Sequence, residues 1–311
     1  MVDLEYLKRI KLVSYSVAQK LIGTFFLIPN YNLFAHVDIR IENHERIPRD
    51  ENVIFAMNHT DRFNYWPFQY KLWRMKTIPE TTVWVKGKYY RNPLLARGLD
   101  LCNLIPVPSM GYLIQEFYRK RHHQSMDREL YRRVKDIVDD KQEDIKEHAK
   151  KLAETTALMG ETFVAFIREY YETVMERVAE ISRLALFEKK LSVIVFPEGT
   201  RGSQLGEGKT GIAQLALHTG KKVVPVACNN SDRVYPGSSP VARSGWITYR
   251  VGEPLSLDGK LKPFRIDEPF KLLSRTSQIK YKEQFEGATR VIMEEINAML
   301  DDRYRRSFAS S

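Results

Sequence analysis

The run LSVIVF, Leu191–Phe196, closed by Pro197, constrains the fold more than any other stretch. It lacks the apolar–polar alternation of a half-exposed strand, so it reads as a strand covered on both faces. Asn52–Ala56 (NVIFA) and Lys222–Ala227 (KVVPVA) are of the same kind. His36–Ile41 (HVDIRI) alternates, Trp246–Val251 (WITYRV) adds a further strand, and Thr82–Val85 is another candidate. Helical patterns such as Gly211–His218 lie between them. This order implies a mixed α/β fold, a largely buried sheet flanked by helices.

Two helical additions are expected. Between Gly111 and Pro197 there is no proline and only Gly160. Leu130, Val134, Ile137, Val138, Ile145, Ala149 and Leu152 keep helical spacing, as do Phe163, Ile167, Tyr170, Val174, Val178, Ile181 and Leu184. Two long helices meeting near Gly160 form a hairpin inserted at about 112–190. The other addition is an amphipathic helix over Leu4–Ile28, stopped by Pro29. It carries Lys8, Arg9, Lys11 and Lys20 beside LIGTFFLI, which suits either a membrane interface or a core contact. The expected division is therefore an N-terminal membrane-interface segment, 1–35, and an α/β domain, 36–311, that holds the insertion.

The formal charge is +10, which favours an anionic partner: nucleic acid, anionic lipid or a phosphorylated substrate. From Arg62 to Arg97 there are eight Lys/Arg against the single acid Glu80. The same run holds Tyr65, Trp66, Trp73, Trp84, Tyr89 and Tyr90, suited to a membrane surface or to the core. Cys102 and Cys228 have no paired spacing, so neither a disulfide nor a zinc site is expected, and a reducing compartment fits. The seven His are scattered, and no metal or cofactor is expected. Leu21–Ala35 is too short and polar to span a bilayer, which needs about 20 apolar residues.

Chemistry concentrates at two strand ends. FPEGTRG, Phe196–Gly202, follows an apolar strand. Pro197 ends the strand, Gly199 permits a tight turn, and Glu198, Thr200 and Arg201 are offered at the sheet edge, where α/β folds bind ligands. Arg201 suits a phosphate, because its planar fork bonds two oxygens; Glu198 suits a hydroxyl or Arg201 itself. His59 follows the strand Asn52–Ala56 and is a candidate general base, with a pKa near neutrality. Charge favours Asp61 as its orienting neighbour and spacing favours Asn64; Asn64 is the expected orienter, with Asp61 capping the next helix at its N-terminus.

NH-x5 around His59, FPEGTRG, Lys209-x-Gly211 and VVPVA (Val223–Ala227) together resemble the glycerol-phosphate and lysophosphatidic-acid acyltransferase family. The resemblance covers about Ile39 to Val251 apart from the insertion. It implies an enzyme on the cytoplasmic face of a membrane, peripheral or monotopic. Such an enzyme moves a fatty acyl group from acyl-CoA or acyl-carrier protein to a hydroxyl of a lysophospholipid or glycerol-phosphate acceptor. The resemblance implies His59 as base and Glu198, Gly199, Thr200 and Arg201, with Lys209, in acceptor binding. Two positions depart from the family pattern. Asn64 stands where the family has Asp. Within LIPVPS, Leu104–Ser109, Pro108 and Ser109 stand where the family often has a basic residue to grip the acceptor phosphate, leaving Arg62, Arg97, Arg119 or Arg121 to compensate. A second reading is a catalytically weak or inactive relative that binds acyl chains or anionic lipid. A nucleic-acid binder rests on charge alone, so no nucleic-acid partner is expected.

Overall fold

The computed structural model describes residues 1–76, 78–139, 145–160 and 162–306, without the side chains of 145–149. Ile145 and Ala149 of the helical spacing, and tail residues 307–311, lie outside what is described at side-chain level. The chain forms two compact units: residues 11–84, 98–105 and 179–311, and residues 1–10, 85–97 and 106–178.

Seven strands, β1 Val37–Glu42, β2 Ile54–Met57, β3 Thr81–Lys86, β4 Ile105–Val107, β5 Ser192–Val195, β6 Val223–Asn229 and β7 Gly245–Val251, make one sheet in the order β1-β7-β6-β2-β5-β3-β4. Pairing is parallel for β1–β7, β2–β5, β2–β6 and β3–β5, and antiparallel for β6–β7, so the sheet is mixed. Every residue of β2, β5 and β6 is buried, as unalternated apolar runs require; β1, at the edge, buries only Ile39. The segment LIPVPS holds β4, a strand that Pro106 and Pro108 conceal from pattern reading.

The helices are α1 Leu4–Arg9, α2 Val17–Ile22, α3 Tyr65–Met75, α4 Pro93–Leu101, α5 Met110–His122, α6 Arg128–Asp139, α7 Ile145–Met159, α8 Phe163–Arg183, α9 Gly211–Thr219, α10 Ser231–Val234, α11 Arg275–Lys280 and α12 Lys282–Ala298. In the sheet unit, α12 buries Phe285, Ile292 and Ile296 and packs on β6 and α9.

The expected N-terminal helix is two. Ile10 turns extended after α1, and the Ser16 hydroxyl accepts from Gln19 N–H to start α2. Pro29 does not stop the second: its φ of −61° is helical, and a wider turn continues over Asn30–Phe34. Residues 1–10 belong to one unit and 11–35 to the other.

Among the described residues, the insertion contains four helices where two were expected. His123, at φ 57°, closes α5, and the Asp127 carboxyl accepts from Glu129 and Leu130 N–H to start α6. Gly160, at φ +98°, ends α7 as its spacing implied. Gly111 is needed for packing, since a Cβ there would meet the Tyr131 hydroxyl of α6 at 2.1 Å. Phe117 sits edge-on to Phe166 and Tyr170 of α8, and Arg168 donates to the last carbonyls of α6, at Ile137 and Val138.

Four aromatic residues of the basic run make packing contacts or are buried. Tyr65 and Tyr90 are buried, Trp66 tilts onto Phe63, and Trp84 Nε1–H donates to Ser182 Oγ.

Candidate active site

β2 and β5 are parallel, with Ala56 opposite Val195, so the chain leaves both at the same sheet edge. This brings 58–64 against 196–210. The Phe196 ring stacks on the His59 ring with centroids 4.2 Å apart. Gly202 N–H donates to the His59 carbonyl at 3.0 Å, and Lys209 N–H to the Pro197 carbonyl at 2.8 Å. Gly199 sits at φ +64°, a left-handed turn that favours glycine, and its N–H returns to the Phe196 carbonyl at 3.0 Å.

Glu198 is buried, and its two oxygens join the loops. One accepts from His59 N–H at 2.6 Å and the other from Gly206 N–H at 2.7 Å. Burial pushes its carboxyl upward, and those two amides pull it back. Glu198 therefore bonds main chain, where the sequence pointed to a hydroxyl or Arg201. The turn after Pro197 aims this side chain inward, a direction that spacing does not encode. Thr200, Arg201 and Lys209 are exposed on the same loop, and Arg62 is half-buried beside Asp61 in the chain. Arg97 is exposed on α4 and belongs to the other compact unit.

The ring of His59 has its partner. His59 Nδ1 lies 3.3 Å from Asn64 Oδ1, and Asn64 Nδ2 donates to the Asn58 carbonyl at 2.8 Å. A carbonyl only accepts, so the amide nitrogen must face Asn58 and the amide oxygen must face the imidazole. Nδ1 then carries the proton, and Nε2 keeps its lone pair. Asn64 is fully buried, and the Tyr249 hydroxyl donates to its carbonyl at 2.6 Å. The Asn58 side chain bonds Cys228 through both main-chain groups, Nδ2 to the carbonyl at 3.0 Å and Oδ1 from the N–H at 2.6 Å.

Asp61 faces elsewhere. One oxygen accepts from Phe63 N–H at 2.7 Å and the other from the Thr60 hydroxyl at 3.0 Å. It closes a turn two residues on rather than capping α3, whose first flanking residue is Asn64. Burial pushes its carboxyl up to about 6. The Ser231 hydroxyl and the Phe63 and Thr60 donors pull it back.

Sequence reasoning missed Asn58, Gly206, Cys228 and Tyr249 as supports of this edge. Asn58 is at least adjacent to His59; the others lie far away in sequence and carry no local signal. Cys102 and Cys228 are both buried, unpaired thiols. Among the described residues, no group of three or more His, Cys, Asp or Glu is arranged to hold a metal ion.

Comparison with known proteins places this edge in context. A family model described as Acyltransferase matches residues 38–229. A 1-acyl-sn-glycerol-3-phosphate acyltransferase of Cocos nucifera is 33% identical over 86 residues, which are 27% of this chain and 28% of that protein. The chain thus spans under a third of the length of the curated relative it matches. The crystal structure of the 1-acyl-sn-glycerophosphate (LPA) acyltransferase PlsC of Thermotoga maritima aligns over 94% of this chain and 83% of its own. Its identity is 17% and its TM-score 0.42.

Proposed function

The chain belongs to the acyltransferase family, and from that premise we propose that it moves a fatty acyl group from a thioester donor to a hydroxyl of a glycerol-phosphate or lysophospholipid acceptor, with His59 as general base, at a membrane surface. The donor is acyl-CoA or acyl-carrier protein. The observation that carries this reading is the His59–Asn64 pair, which leaves Nε2 unprotonated at a sheet edge beside the exposed Arg201.

Nε2 removes the proton of the acceptor hydroxyl as its oxygen attacks the thioester carbonyl. The tetrahedral oxyanion collapses, the C–S bond breaks, and the imidazolium returns its proton to the departing thiolate. No acyl-enzyme forms. Glu198, through the His59 amide, holds the base in place, and Phe196 supports its ring. Arg201 takes the acceptor phosphate. Arg201→Ala is expected to raise the acceptor KM about tenfold or more, the loss of a charge-assisted bond, and to leave the donor KM unchanged. Equal changes for both substrates would remove Arg201 from this role.

Asn64 orients the base without charge, and Asn64→Asp separates rate from stability. A carboxylate stabilises the imidazolium, so turnover should rise on the order of tenfold. It also turns an oxygen toward the Asn58 carbonyl in place of a donor, which should cost about 1–3 kcal/mol of folding stability. Slower turnover in the folded variant counts against Asn64 as orienter.

The membrane contact is assigned to residues 17–34. Val17, Leu21 and Phe25, four apart, are exposed, as are Leu33 and Phe34, with Phe25 at 75%. An exposed apolar stripe of this kind lies in an interface. Among the described residues, no helix is long and apolar enough to cross a membrane. Phe25→Ser with Phe34→Ser is expected to weaken vesicle partitioning about tenfold, with added salt weakening it further. Unchanged partitioning excludes this stripe as the contact.

The deciding experiment is thiol release from acyl-CoA and acyl-carrier protein across a panel of lysolipids and glycerol phosphate. Release with none of them, alongside acyl-chain or vesicle binding, would favour the second reading: a lipid-binding relative without turnover, to which the uncharged Asn64 points.

A further inference from the structure

We propose that Arg91 and Arg119, held by the buried Glu116, form a binding site for the phosphate of an anionic bilayer lipid, flanked by Leu94 and Leu95 as its apolar contact. The proposal deepens the membrane-surface part of the reading above and rests on that part alone. All five residues belong to the same compact unit.

Glu116 lies on the inner side of α5 with its carboxylate almost fully buried, and each oxygen holds one arginine. Arg91 Nε and Nη2 both approach Oε1 at 2.8 Å, and Arg119 Nη2 donates to Oε2 at 2.6 Å. A single buried carboxylate therefore fixes two guanidiniums, and the cluster keeps one uncompensated positive charge. Both guanidiniums remain partly exposed, at 41% and 47%. Arg91 also lies over the Tyr112 ring at 5.7 Å, and the Tyr112 hydroxyl accepts from Val2 N–H at 2.8 Å. Among the described residues, no other acceptor takes the remaining N–H groups of either arginine.

Two such edges, unspent and rigid before any ligand arrives, match a phosphate, whose oxygens accept several charge-assisted bonds at once. Pre-ordering lowers the entropy lost on binding. The surroundings choose the source of that phosphate. Leu94 is 84% exposed and Leu95 50%, on the first turn of α4 and within four residues of Arg91. Lys88 and Lys120 are exposed nearby in the chain, and no acid occurs from Lys86 to Arg97. Exposed leucines beside paired guanidiniums fit acyl chains beneath a phosphate headgroup; a free nucleotide phosphate has no use for them. The loop Gly87–Arg91 packs on Pro108, with Pro108 Cα 3.4 Å from a Cβ built on Gly87. Arg91 thereby ends the segment whose first residue packs on Pro108.

The test is co-sedimentation of the full chain with phosphatidylcholine vesicles containing or lacking phosphatidic acid. The triple variant Arg91→Gln, Glu116→Gln, Arg119→Gln removes two cations and one anion, one unit of net charge. Lys120→Gln removes the same unit. Long-range attraction alone weakens both about fivefold. A bound phosphate makes the triple variant lose at least a further tenfold on phosphatidic-acid vesicles and nothing on phosphatidylcholine alone. Equal losses in the two variants overturn the proposal. So does a triple variant that partitions normally while its KM for acyl-CoA rises, which would assign the pair to the donor. Should the triple variant not fold, Leu94→Ser with Leu95→Ser, both on the surface, carries the test: about a tenfold weaker partition is expected, and none overturns the site. Thiol release with soluble glycerol 3-phosphate runs in parallel. Its absence in the wild type sinks the acyl-transfer reading and leaves the vesicle result to judge this one.

Discussion

Replacing His59 by alanine is expected to lower acyl transfer by about 10²–10⁴-fold while the protein stays folded. The two effects separate because the bonds that place residue 59 are main-chain bonds. Its N–H donates to Glu198 and its carbonyl accepts from Gly202, and alanine keeps both. What is lost is the ring, stacked on Phe196 and bonded to Asn64. The loop should therefore hold its course with no base in it. Thiol release and thermal unfolding on the same sample decide the matter. Near wild-type turnover in a folded His59→Ala protein would falsify the mechanism. A collapse of the fold would mean that the ring, and not the Glu198 clamp, holds the two loops together.

Asp61→Asn is expected to raise stability at pH 7 by on the order of 3 kcal/mol, the free energy of moving a carboxyl from its ordinary 3.8 up to about 6. Here the folded state holds its proton more tightly than the unfolded state. Between about pH 4 and 6 the native protein therefore binds more protons, and wild-type stability falls as pH rises through that window. Above it, the buried charge exerts its full penalty. The asparagine keeps an oxygen for Phe63 N–H and offers its amide to the Thr60 hydroxyl, so the turn survives without the charge. Denaturant unfolding at pH 4 and pH 7 should show a slope in the wild type that the variant lacks. Identical slopes would place the carboxyl in wetter surroundings than its burial indicates. Turnover should change by no more than a few-fold, because Asn64 faces the imidazole. A loss beyond tenfold would instead make Asp61 part of the base.

These outcomes turn on features of unequal legibility. The sequence alone determined the mixed α/β class, because LSVIVF, NVIFA and KVVPVA are too uniformly apolar for any strand with a wet face. It placed His59 and Glu198–Arg201 just past the ends of two such strands, and Gly160 at a helix end, since these are local consequences of residue type. It offered both Asn64 and Asp61 as orienters and favoured Asn64 on spacing, without a contact to fix it. The choice belongs to the Asn58 carbonyl, which fixes the Asn64 amide through a bond that only the folded turn makes. Glu198 read as a substrate ligand because its chemistry suits one. The tertiary structure gave it to two main-chain amides, one of them 139 residues away in sequence. The break after Ile10 and the extra helix ends near His123 and Asp127 also escaped, since apolar spacing persists across short turns. The Arg91–Glu116–Arg119 cluster is the clearest case of the same limit. Its charges are ordinary surface charges on the page, and only the burial of one carboxylate between strand-end loop and helix turns them into a fixed pair. Periodicity and strand-end position are properties of neighbouring residues. Side-chain direction, and the partners that consume a hydrogen bond, are set by chain segments that meet only on folding.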